Sequence, residues 1–328
     1  MLNFALLAVS SELWAFGFLA ERRTVGEAFM ARAIAAWRSE ARPARLVLAV
    51  VAALVSLGCW AAQASAYIYW SSPDGGAIGR AKLAGTGIRG RFISALSHPV
   101  GVAVDGHYIY WTNDIAGTIE RANLNGSGVD STFITGANGP TAIALGRNGA
   151  YIYWTNSYPD EIGRANYNGT GAVQNFITGA NQPSSVAVNL NYIYWTNPAS
   201  GTIGRANLDG TGVDQSFITG ANEPEGVVPG LNGAYIYWSN NQGGTIGRAN
   251  YDGTGVDQSF ITGAFNPSGL AVSDDYIYWT DGAHRRPHHR PGRLISPSIA
   301  RADLDGADPV QRFIAIHSGA YTLALSTR

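Results

Sequence analysis

Five polar side chains stand beside prolines that recur along the chain. The prolines lie in the segments HPV, GPT, QPS, EPE and NPS, and the polar residues next to them are His98, Gln182, Glu223, Glu225 and Asn266. Imidazole and carboxylate groups hold divalent metals and exchange protons in catalysis. If the fold gathers these segments, the residues form a rim that could bind a ligand or a divalent metal, or act as acid and base. A solvated polar rim without a ligand is the alternative.

A second candidate is a basic insertion, AHRRPHHRPGR, at residues 283–293. It contains three histidines, four arginines and two prolines. Such an arm could grip an anionic glycan, a nucleic acid or an acidic protein, or bind a transition metal through its histidines. A solvated loop without a role is the alternative. The candidate residues are His284, Arg285, Arg286, His288, His289 and Arg290.

Glu120 and Glu161 form a third candidate, because they replace the glycine or threonine of the other repeats. The repeats also carry six arginines at one position, which could suggest a ring of anion ligands: Arg80, Arg121, Arg164, Arg205, Arg248 and Arg301. We expect these arginines to pair with polar groups inside each repeat. Downstream of residue 66 the sequence shows no nucleophile elbow, HExxH or other compact catalytic motif, which weakens an enzymatic interpretation without removing it.

The elements that must position these residues are set by a repeat. The segment YIYW begins at six positions separated by 41, 43, 41, 43 and 41 residues: Tyr67, Tyr108, Tyr151, Tyr192, Tyr235 and Tyr276. Each unit predicts four short strands joined by loops of Gly, Asn, Asp and Pro. Within YIYW, Ile193 and Trp195 point to one face and Tyr192 and Tyr194 to the other, so both faces need cover. Four-stranded sheets stacked around an axis supply it, which predicts a six-bladed β-propeller.

The two ends of the repeat region predict how the ring closes. The first YIYW has no inner strand before it, whereas HSGAYTLALSTR at the end of the chain matches the inner strands of other repeats. We therefore expect residues 320–326 to complete the blade formed by residues 67–94. In such a ring the proline segments and the basic arm lie on one face, and the hairpins with Asp-Gly or Asn-Gly lie on the opposite face.

Composition agrees with an all-β protein. Of 328 residues, 46% are hydrophobic and 14% charged, with 41 glycines and 16 tyrosines, so strand and turn formers outweigh charged helix formers. The net charge of −1 argues against nucleic acid as a partner. The single cysteine, Cys59, precedes the repeats, so their stability must come from packing.

Residues 1–66 have the layout of a targeting segment. A basic lead, an apolar run from Leu46 to about Ala62 and small residues at Ala64 and Ala66 predict a cleaved secretory signal, with a propeller domain at 67–328. Translation from Met30 would give a conventional signal length. The alternatives are a membrane anchor, a hairpin of two membrane segments, or lipidation at Cys59. We expect a secreted or cell-envelope protein, or a membrane-anchored one with the propeller outside.

The repeats resemble the YWTD repeats of low-density-lipoprotein-receptor class B. The matching segments are YWTN at Tyr110–Asn113, Tyr153–Asn156 and Tyr194–Asn197, YWTD at Tyr278–Asp281, and IGRANLDG at Ile203–Gly210. The resemblance covers residues 67–328 and implies a six-bladed propeller that binds proteins without catalysis. Asparagine or serine replaces the family's aspartate in every copy but Asp281, so its structural hydrogen bonds are expected to change. The absence of EGF-like cysteine modules points to a bacterial exported protein.

These observations predict a monomeric, exported, non-catalytic binding module that uses the face with the rim and the arm. Its ligand would be a protein or an anionic glycan, with no resident cofactor except a divalent metal at the rim. Membrane contact would come only through an uncleaved residue 1–66 segment. The alternatives are a propeller hydrolase or lyase with a polar or metal-bearing axial pocket, and a purely structural envelope protein.

Overall fold

The structure is a computed structural model that describes residues 66–146, 149–231, 233–282, 284–285, 294–316 and 319–326, with backbone only at 284–285 and 294–295. The chain divides into two compact units, residues 1–64 and 65–328, and all described residues belong to the second. The predicted signal segment, Met30 and Cys59 lie outside the described residues. Within the described part, no helix is long and apolar enough to cross a bilayer.

The described strands fall into six groups along the chain, with one short 3-10 turn at Pro198–Ser200. Blades 1 to 3 contain β1 (Tyr67–Ser72), β2 (Ala77–Lys82), β3 (Arg89–Ser94), β4 (Pro99–Val104), β5 (Tyr108–Asn113), β6 (Thr118–Asn123), β7 (Asp130–Thr135), β8 (Pro140–Leu145), β9 (Tyr151–Asn156), β10 (Glu161–Asn166) and β11 (Val173–Ile177). Blades 4 to 6 contain β12 (Val186–Val188), β13 (Tyr192–Asn197), β14 (Thr202–Asn207), β15 (Asp214–Thr219), β16 (Pro224–Pro229), β17 (Tyr235–Asn240), β18 (Thr245–Asn250), β19 (Asp257–Thr262), β20 (Leu270–Val272), β21 (Tyr276–Asp281), β22 (His284–Arg285), β23 (Leu294–Ile295), β24 (Ser298–Asp303) and β25 (Val310–Ala315); the last strand is β26 (Leu323–Leu325).

The strands form six four-stranded antiparallel sheets, which confirms the predicted six-bladed propeller. Five blades use consecutive strands, apart from the small β22–β23 hairpin inserted in blade 6. Blade 1 has the order β26-β1-β2-β3, so the chain's last strand is its innermost one. Ile68 pairs with Leu325 and Trp70 with Leu323, as the closure hypothesis required. The closing strand is shorter than predicted, because only residues 323–325 form ladder pairs.

The hydrophobic core consists of the interfaces between neighbouring blades. Between blades 3 and 4, Tyr153 and Ile162 of one blade meet Ile193 and Trp195 of the next. Tyr194 points the other way and packs against Trp238 of blade 5. The same contact joins blade 6 to blade 1, where Tyr278 meets Trp70. Each YIYW strand is therefore covered on both faces, and its burial accounts for most of the apolar stabilisation of the ring.

The tryptophans explain a glycine of the repeat. A Cβ atom added at Gly204 would lie 2.2 Å from Cε2 of Trp195, because the indole rests against the backbone of β14. Gly79, Gly163 and Gly247 have the same contact in their blades. In these four blades the close approach of the indole, and not the backbone conformation, favours glycine, whereas blades 2 and 6 carry Glu120 and Ala300 at this position.

Hydroxyl groups tie the inner strands to one another. Ser239 Oγ accepts a hydrogen bond from the Gly226 amide (2.8 Å) and donates one to the Ser268 carbonyl of blade 6 (2.7 Å). Between blades 1 and 2, Ser71 Oγ donates to the Val100 carbonyl. Gly226 and Val100 lie where the ladders of β16 and β4 are irregular, and these bonds satisfy backbone groups there.

Three of the four asparagines that replace the family's aspartate, Asn156, Asn197 and Asn240, keep its backbone contact, whereas Asn113 Oδ1 accepts the Ala116 amide instead. Asp281 Oδ1 accepts the Phe265 amide at 3.1 Å, and Asn240 Oδ1 accepts the Asn222 amide at 3.0 Å. The amide side chain adds a donor, because Asn240 Nδ2 also reaches the Gln258 carbonyl at 2.9 Å. Asn240 Nδ2 also donates to Thr245 Oγ1 at 3.0 Å, whereas the indole N–H that Asp281 accepts from Trp279 is accepted in blade 5 by Gln258.

The six repeated arginines are held mainly by aromatic rings, which corrects the expectation of polar pairing. The Arg205 guanidinium lies 4.6 Å from the centroid of Tyr192 and 3.8 Å from that of Phe217. The other five arginines have the same pair of rings. Polar contacts are secondary, such as the 3.6 Å approach of Arg121 Nε to Asp130 Oδ2. These cations brace the blades through cation–π contacts.

Candidate functional site

The connections between blades and the loops between second and third strands share one face, which we name the upper face. His98, just before β4, places Nδ1 2.7 Å from Oδ1 of Asp114 in the β5–β6 loop. His98 and Asp114 keep 31% and 27% of their side-chain surfaces exposed, so the pair is accessible from solvent. The sequence analysis assigned His98 to the rim but missed its contact with Asp114.

Three residues of the predicted rim adopt a left-handed backbone. The φ angles are +56° at Gln182, +50° at Glu223 and +45° at Asn266, and blade 3 has Gly139 at +59° in the same position. A left-handed residue with a side chain costs about 1–2 kcal/mol, less for asparagine. Blade 3 shows that glycine fits this position. The chain therefore keeps long polar side chains where glycine would relieve strain, a feature that often marks functional surfaces.

These rim residues contact neighbouring loops and do not converge on one point. The backbone N–H of Gln182 donates to Asp160 Oδ1 at 3.1 Å, and Gln242 Nε2 donates to Glu223 Oε1 at 2.6 Å. Asn266 Nδ2 lies 3.5 Å from Asn241 Oδ1. Among the residues with described side chains, no three His, Cys, Asp or Glu groups lie close enough to hold a metal.

Glu225 is separate from the rim and lines the axial channel. The channel encloses a cavity of about 60 Å³, bordered by innermost residues of all six blades, among them Ser184, Glu225, Ser268 and Tyr321. Burial raises the pKa of the Glu225 carboxyl, a hydrogen bond from Ser184 opposes that rise, and the charge of Glu223 adds to it. The cavity has room for a few water molecules, since each occupies about 30 Å³.

Tyr321 is a channel residue that the sequence analysis missed. Burial raises the pKa of its phenol, and the carboxylates of Glu225 and Asp114 raise it further. The signal was present in the repeat: Leu323 pairs with Trp70 as Val227 pairs with Trp238, so Tyr321 takes the position of Glu225. An alignment of the closing strand with the other inner strands would have found it.

The upper face also exposes apolar side chains. Ile115 and Tyr158, on the corresponding loops of adjacent blades 2 and 3, each expose 73% of their surfaces. They lie next to carboxylates of the same loops, Asp114 and Asp160. This part of the face combines apolar contact area with negative charge.

The other sequence candidates have different outcomes. Glu120 is not exposed on the upper face, because it is buried with 5% exposure and accepts hydrogen bonds from Trp111 Nε1 (2.9 Å) and Asn113 Nδ2 (2.8 Å). Glu161 is half-buried at the start of β10. At the base of the insertion His284 pairs with Ile295 and Arg285 with Leu294, and the insertion leaves the propeller between β21 and β24 on the upper face. The remaining arm candidates lie outside the described residues: Arg286, His288, His289 and Arg290.

The protein is a six-bladed β-propeller whose blades resemble YWTD repeats. A chain of the nidogen/laminin complex is similar with a TM-score of 0.66 and 19% identity, over 80% of this chain and 98% of that one. Streptogramin B lyase is similar with a TM-score of 0.58 and 18% identity, over 79% and 83% of the two chains. A gluconolactonase from Xanthomonas campestris has a TM-score of 0.53 and 15% identity, over 68% and 78%.

At these identities the similarities concern the fold alone. The chain matches no protein-family model and no curated protein sequence. The similar structures include a chain from a protein complex and enzymes, so the fold is compatible with both binding and catalysis.

Proposed function

We propose that the protein is an exported, non-catalytic binding module that holds a protein ligand on its upper face. The observation that carries the proposal is the left-handed backbone at Gln182, Glu223 and Asn266, where glycine would cost less. Strain that recurs at one position of the upper face is explained by a need for the side chains themselves. The exported location rests on the sequence of residues 1–66.

The size of the axial cavity favours a ligand that covers the face. Pockets for small organic molecules usually enclose about 300–1,000 Å³, whereas the channel cavity holds about 60 Å³. A protein ligand needs no deep pocket, because it can contact Ile115, Tyr158 and the rim together. The similarity to a chain of the nidogen/laminin complex over 98% of that chain supports the same interpretation.

The partner's chemistry follows from the charges on this face. Its described carboxylates include Asp74, Asp114, Asp160, Glu223 and Glu225, with His98 as a neighbouring base. We infer a partner surface with basic groups around an apolar centre that covers Ile115 and Tyr158. Aromatic and aliphatic residues at the centre of an interface supply most of its binding energy.

Photo-crosslinking tests which face is used. A photoreactive amino acid replaces Tyr158 on the upper face. The matched control replaces Leu190, which is 68% exposed in the β12–β13 loop on the opposite face, named here the lower face. Irradiation in producing cells is expected to yield a discrete protein adduct from position 158 and none from position 190. Adducts of the same mass from both positions, or from position 190 alone, would contradict the upper-face proposal.

The strained rim gives a second test. Gln182→Gly and Glu223→Gly should each raise the free energy of unfolding by about 0.5–1 kcal/mol, because glycine relieves strain but loosens the unfolded chain. The same changes should weaken the crosslink at position 158. If the variants are more stable but the crosslink at position 158 is unchanged, the strained side chains have no role in ligand binding.

A second candidate function is hydrolysis or elimination in the channel, and Glu225 favours it specifically. A carboxyl group with a raised pKa keeps its proton at higher pH and can act as a general acid. The fold similarities to streptogramin B lyase and to a gluconolactonase agree with this alternative. Turnover of gluconolactone or a cyclic depsipeptide that disappears in Glu225→Gln but survives in Glu223→Gln would favour catalysis over the binding proposal.

A further inference from the structure

Blade 1 departs from the repeat along the hairpin between β2 and β3 and along its outer strand, and three of the changes introduce a lysine or arginine. Lys82 stands where Asn123, Asn166, Asn207 and Asn250 stand in blades 2 to 5, and Ala84 replaces the Asn or Asp of the hairpin. Arg89 takes the position of Asp130, Asp214 and Asp257. Arg91 takes the position of Thr132, Asn175, Ser216 and Ser259.

The change at Arg89 has an electrostatic cost. In blades 2, 4 and 5 the stacked arginine lies directly opposite an aspartate across the ladder, as Arg205 lies opposite Asp214. In blade 1, Arg80 lies opposite Arg89 instead. Like charges directly opposite each other destabilise a strand pair.

The change at Lys82 removes a hairpin contact. In blade 4, Asn207 Nδ2 donates to Thr211 Oγ1 at 2.9 Å, and Asp209 Oδ1 accepts both the Thr211 amide (2.9 Å) and its hydroxyl (2.7 Å). Lysine and alanine cannot make these contacts at positions 82 and 84. Blade 1 thus loses local stabilisation at two places while it gains positive charge, a combination expected where function overrides the repeat.

The resulting cations are concentrated on one side of the disc. Apart from the six stacked arginines, the Lys and Arg side chains that the structure describes are Lys82, Arg89, Arg91 and Arg312. The first three belong to blade 1, and Arg312 lies on the outer strand of blade 6, which packs directly against blade 1. All four are exposed, and within the described residues none lies within 4.0 Å of a carboxylate oxygen.

We propose that the outer edge of blade 1, with Arg312 of blade 6, binds an anionic polysaccharide. Arg89 and Arg91 are two residues apart on β3, about 6.5–7 Å along an extended strand, and both side chains are exposed. Arg91 is steadied by a 2.7 Å hydrogen bond from Nη1 to the Gly75 carbonyl, which leaves its other donors available. Guanidinium groups bind carboxylate and sulfate oxygens in pairs of parallel hydrogen bonds.

The shape of the patch favours a linear polymer over other polyanions. The patch is a strip along one edge strand, and a chain of charged sugars can follow such a strip and continue to Arg312. A nucleic acid would call for exposed aromatic rings beside the cations for base stacking. On β3 the aromatic residue is Phe92, which is half-buried and covered by Arg80 at 3.7 Å. This site is distinct from the upper face and does not depend on the proposed protein ligand.

The repeat supplies a variant that should fold. The double substitution Arg89→Asp with Arg91→Ser installs the residues that blade 4 has there, Asp214 and Ser216, and gives Arg80 an opposite charge. The formal charge changes by −3. A matched control makes the same change of charge at the Arg91 position of the other blades, with Asn175→Asp, Ser216→Asp and Ser259→Asp on exposed sites.

Binding of the full-length protein to heparin and to polygalacturonate is measured by calorimetry at several salt concentrations. The blade 1 variant should bind at least about fivefold more weakly, with a logarithmic salt slope smaller by about two. The control should stay within about twofold of the parent protein. The melting temperature of the blade 1 variant should equal or exceed that of the parent, which excludes misfolding.

Three results would overturn the proposal. An equal loss of affinity in the control would show that net charge, and not the blade 1 arginines, sets the affinity. Unchanged polysaccharide affinity in the blade 1 variant would show that the polysaccharide does not bind at this edge, whether or not the basic arm binds it instead. Tighter binding to vesicles of anionic lipid or to single-stranded DNA than to either polysaccharide, at the same salt concentration, would assign the patch to a different ligand.

Discussion

Replacing Glu120 by glycine tests how the blades satisfy their buried tryptophans. In blades 3, 4 and 5 the indole N–H donates to an outer-strand glutamine, as Trp195 donates to Gln215 at 2.9 Å. Blade 2 has Ser131 at the glutamine position, and Trp111 donates instead to Glu120 Oε2 at 2.9 Å. Glu120 is therefore a local substitute for a missing glutamine.

The magnitude follows from the contacts that would be lost. Glu120 accepts hydrogen bonds from Trp111, Asn113 and Thr118, at 2.9, 2.8 and 3.1 Å. A buried donor left without a partner costs about 1–3 kcal/mol. We expect Glu120→Gly to lower the free energy of unfolding by about 3 kcal/mol, because the indole N–H loses its acceptor and the other two donors relax only in part.

The repeat also predicts the rescue. Ser131→Gln, added to Glu120→Gly, gives blade 2 the glycine and glutamine of blades 3 to 5 and should restore at least half of the loss. Ser131→Gln alone should have a small effect, since Trp111 is already paired. The coupling between the two sites in a double-mutant cycle should therefore be about 1–3 kcal/mol.

Thermal melting of the four proteins checks the prediction. A loss of about 3 kcal/mol corresponds to a fall in Tm of roughly 6–12 °C for a domain of this size. If Glu120→Gly melts like the parent protein, the carboxylate is not a structural acceptor. If Ser131→Gln lowers Tm equally in both backgrounds, the glutamine does not replace Glu120 and the reasoning fails.

Three further predictions concern the closure, the aspartate of blade 6 and a carboxylate of the lower face. Leu323→Asp should lower the free energy of unfolding by about 3 kcal/mol or more, since Leu323 is 7% exposed in the closing strand, whereas the exposed control Leu190→Asp should melt unchanged. Asp281→Asn should raise Tm slightly, because Gln311 Oε1 is buried without a hydrogen-bond partner among the described residues and an amide could donate to it; a fall in Tm would contradict this. Burial alone would raise the pKa of Asp105, but hydrogen bonds from backbone amides, Tyr167 and Tyr110 outweigh it and hold that pKa below its ordinary value of 3.8. Its stabilising contribution is therefore complete above about pH 5 and lost as pH falls through the folded-state pKa. Asp105→Asn, which copies Asn189 of blade 4, should reduce the fall in Tm between pH 6 and pH 2.

Much of the candidate site was predictable from its place in the repeat. The proline segments recur at one position per blade, so the face that carries His98 and Glu223 followed from strand order. What those side chains contact did not follow. Asp114 is separated from His98 by 16 residues and lies in a loop whose sequence varies between blades. Tyr321 was missed because its segment lacks the proline that marks the other inner strands.

By itself, the sequence determined the number of blades, their strand order and the closure by the C-terminal strand. It did so because strand periodicity and apolar faces are local properties that repeat six times. Only the tertiary structure decided that Glu120 is a buried acceptor, that the arginines stack between rings, and that Arg80 faces Arg89. Those outcomes depend on which side chains of different strands or blades come within a few ångströms, and short-range hydrogen bonds and ring contacts are set by that geometry.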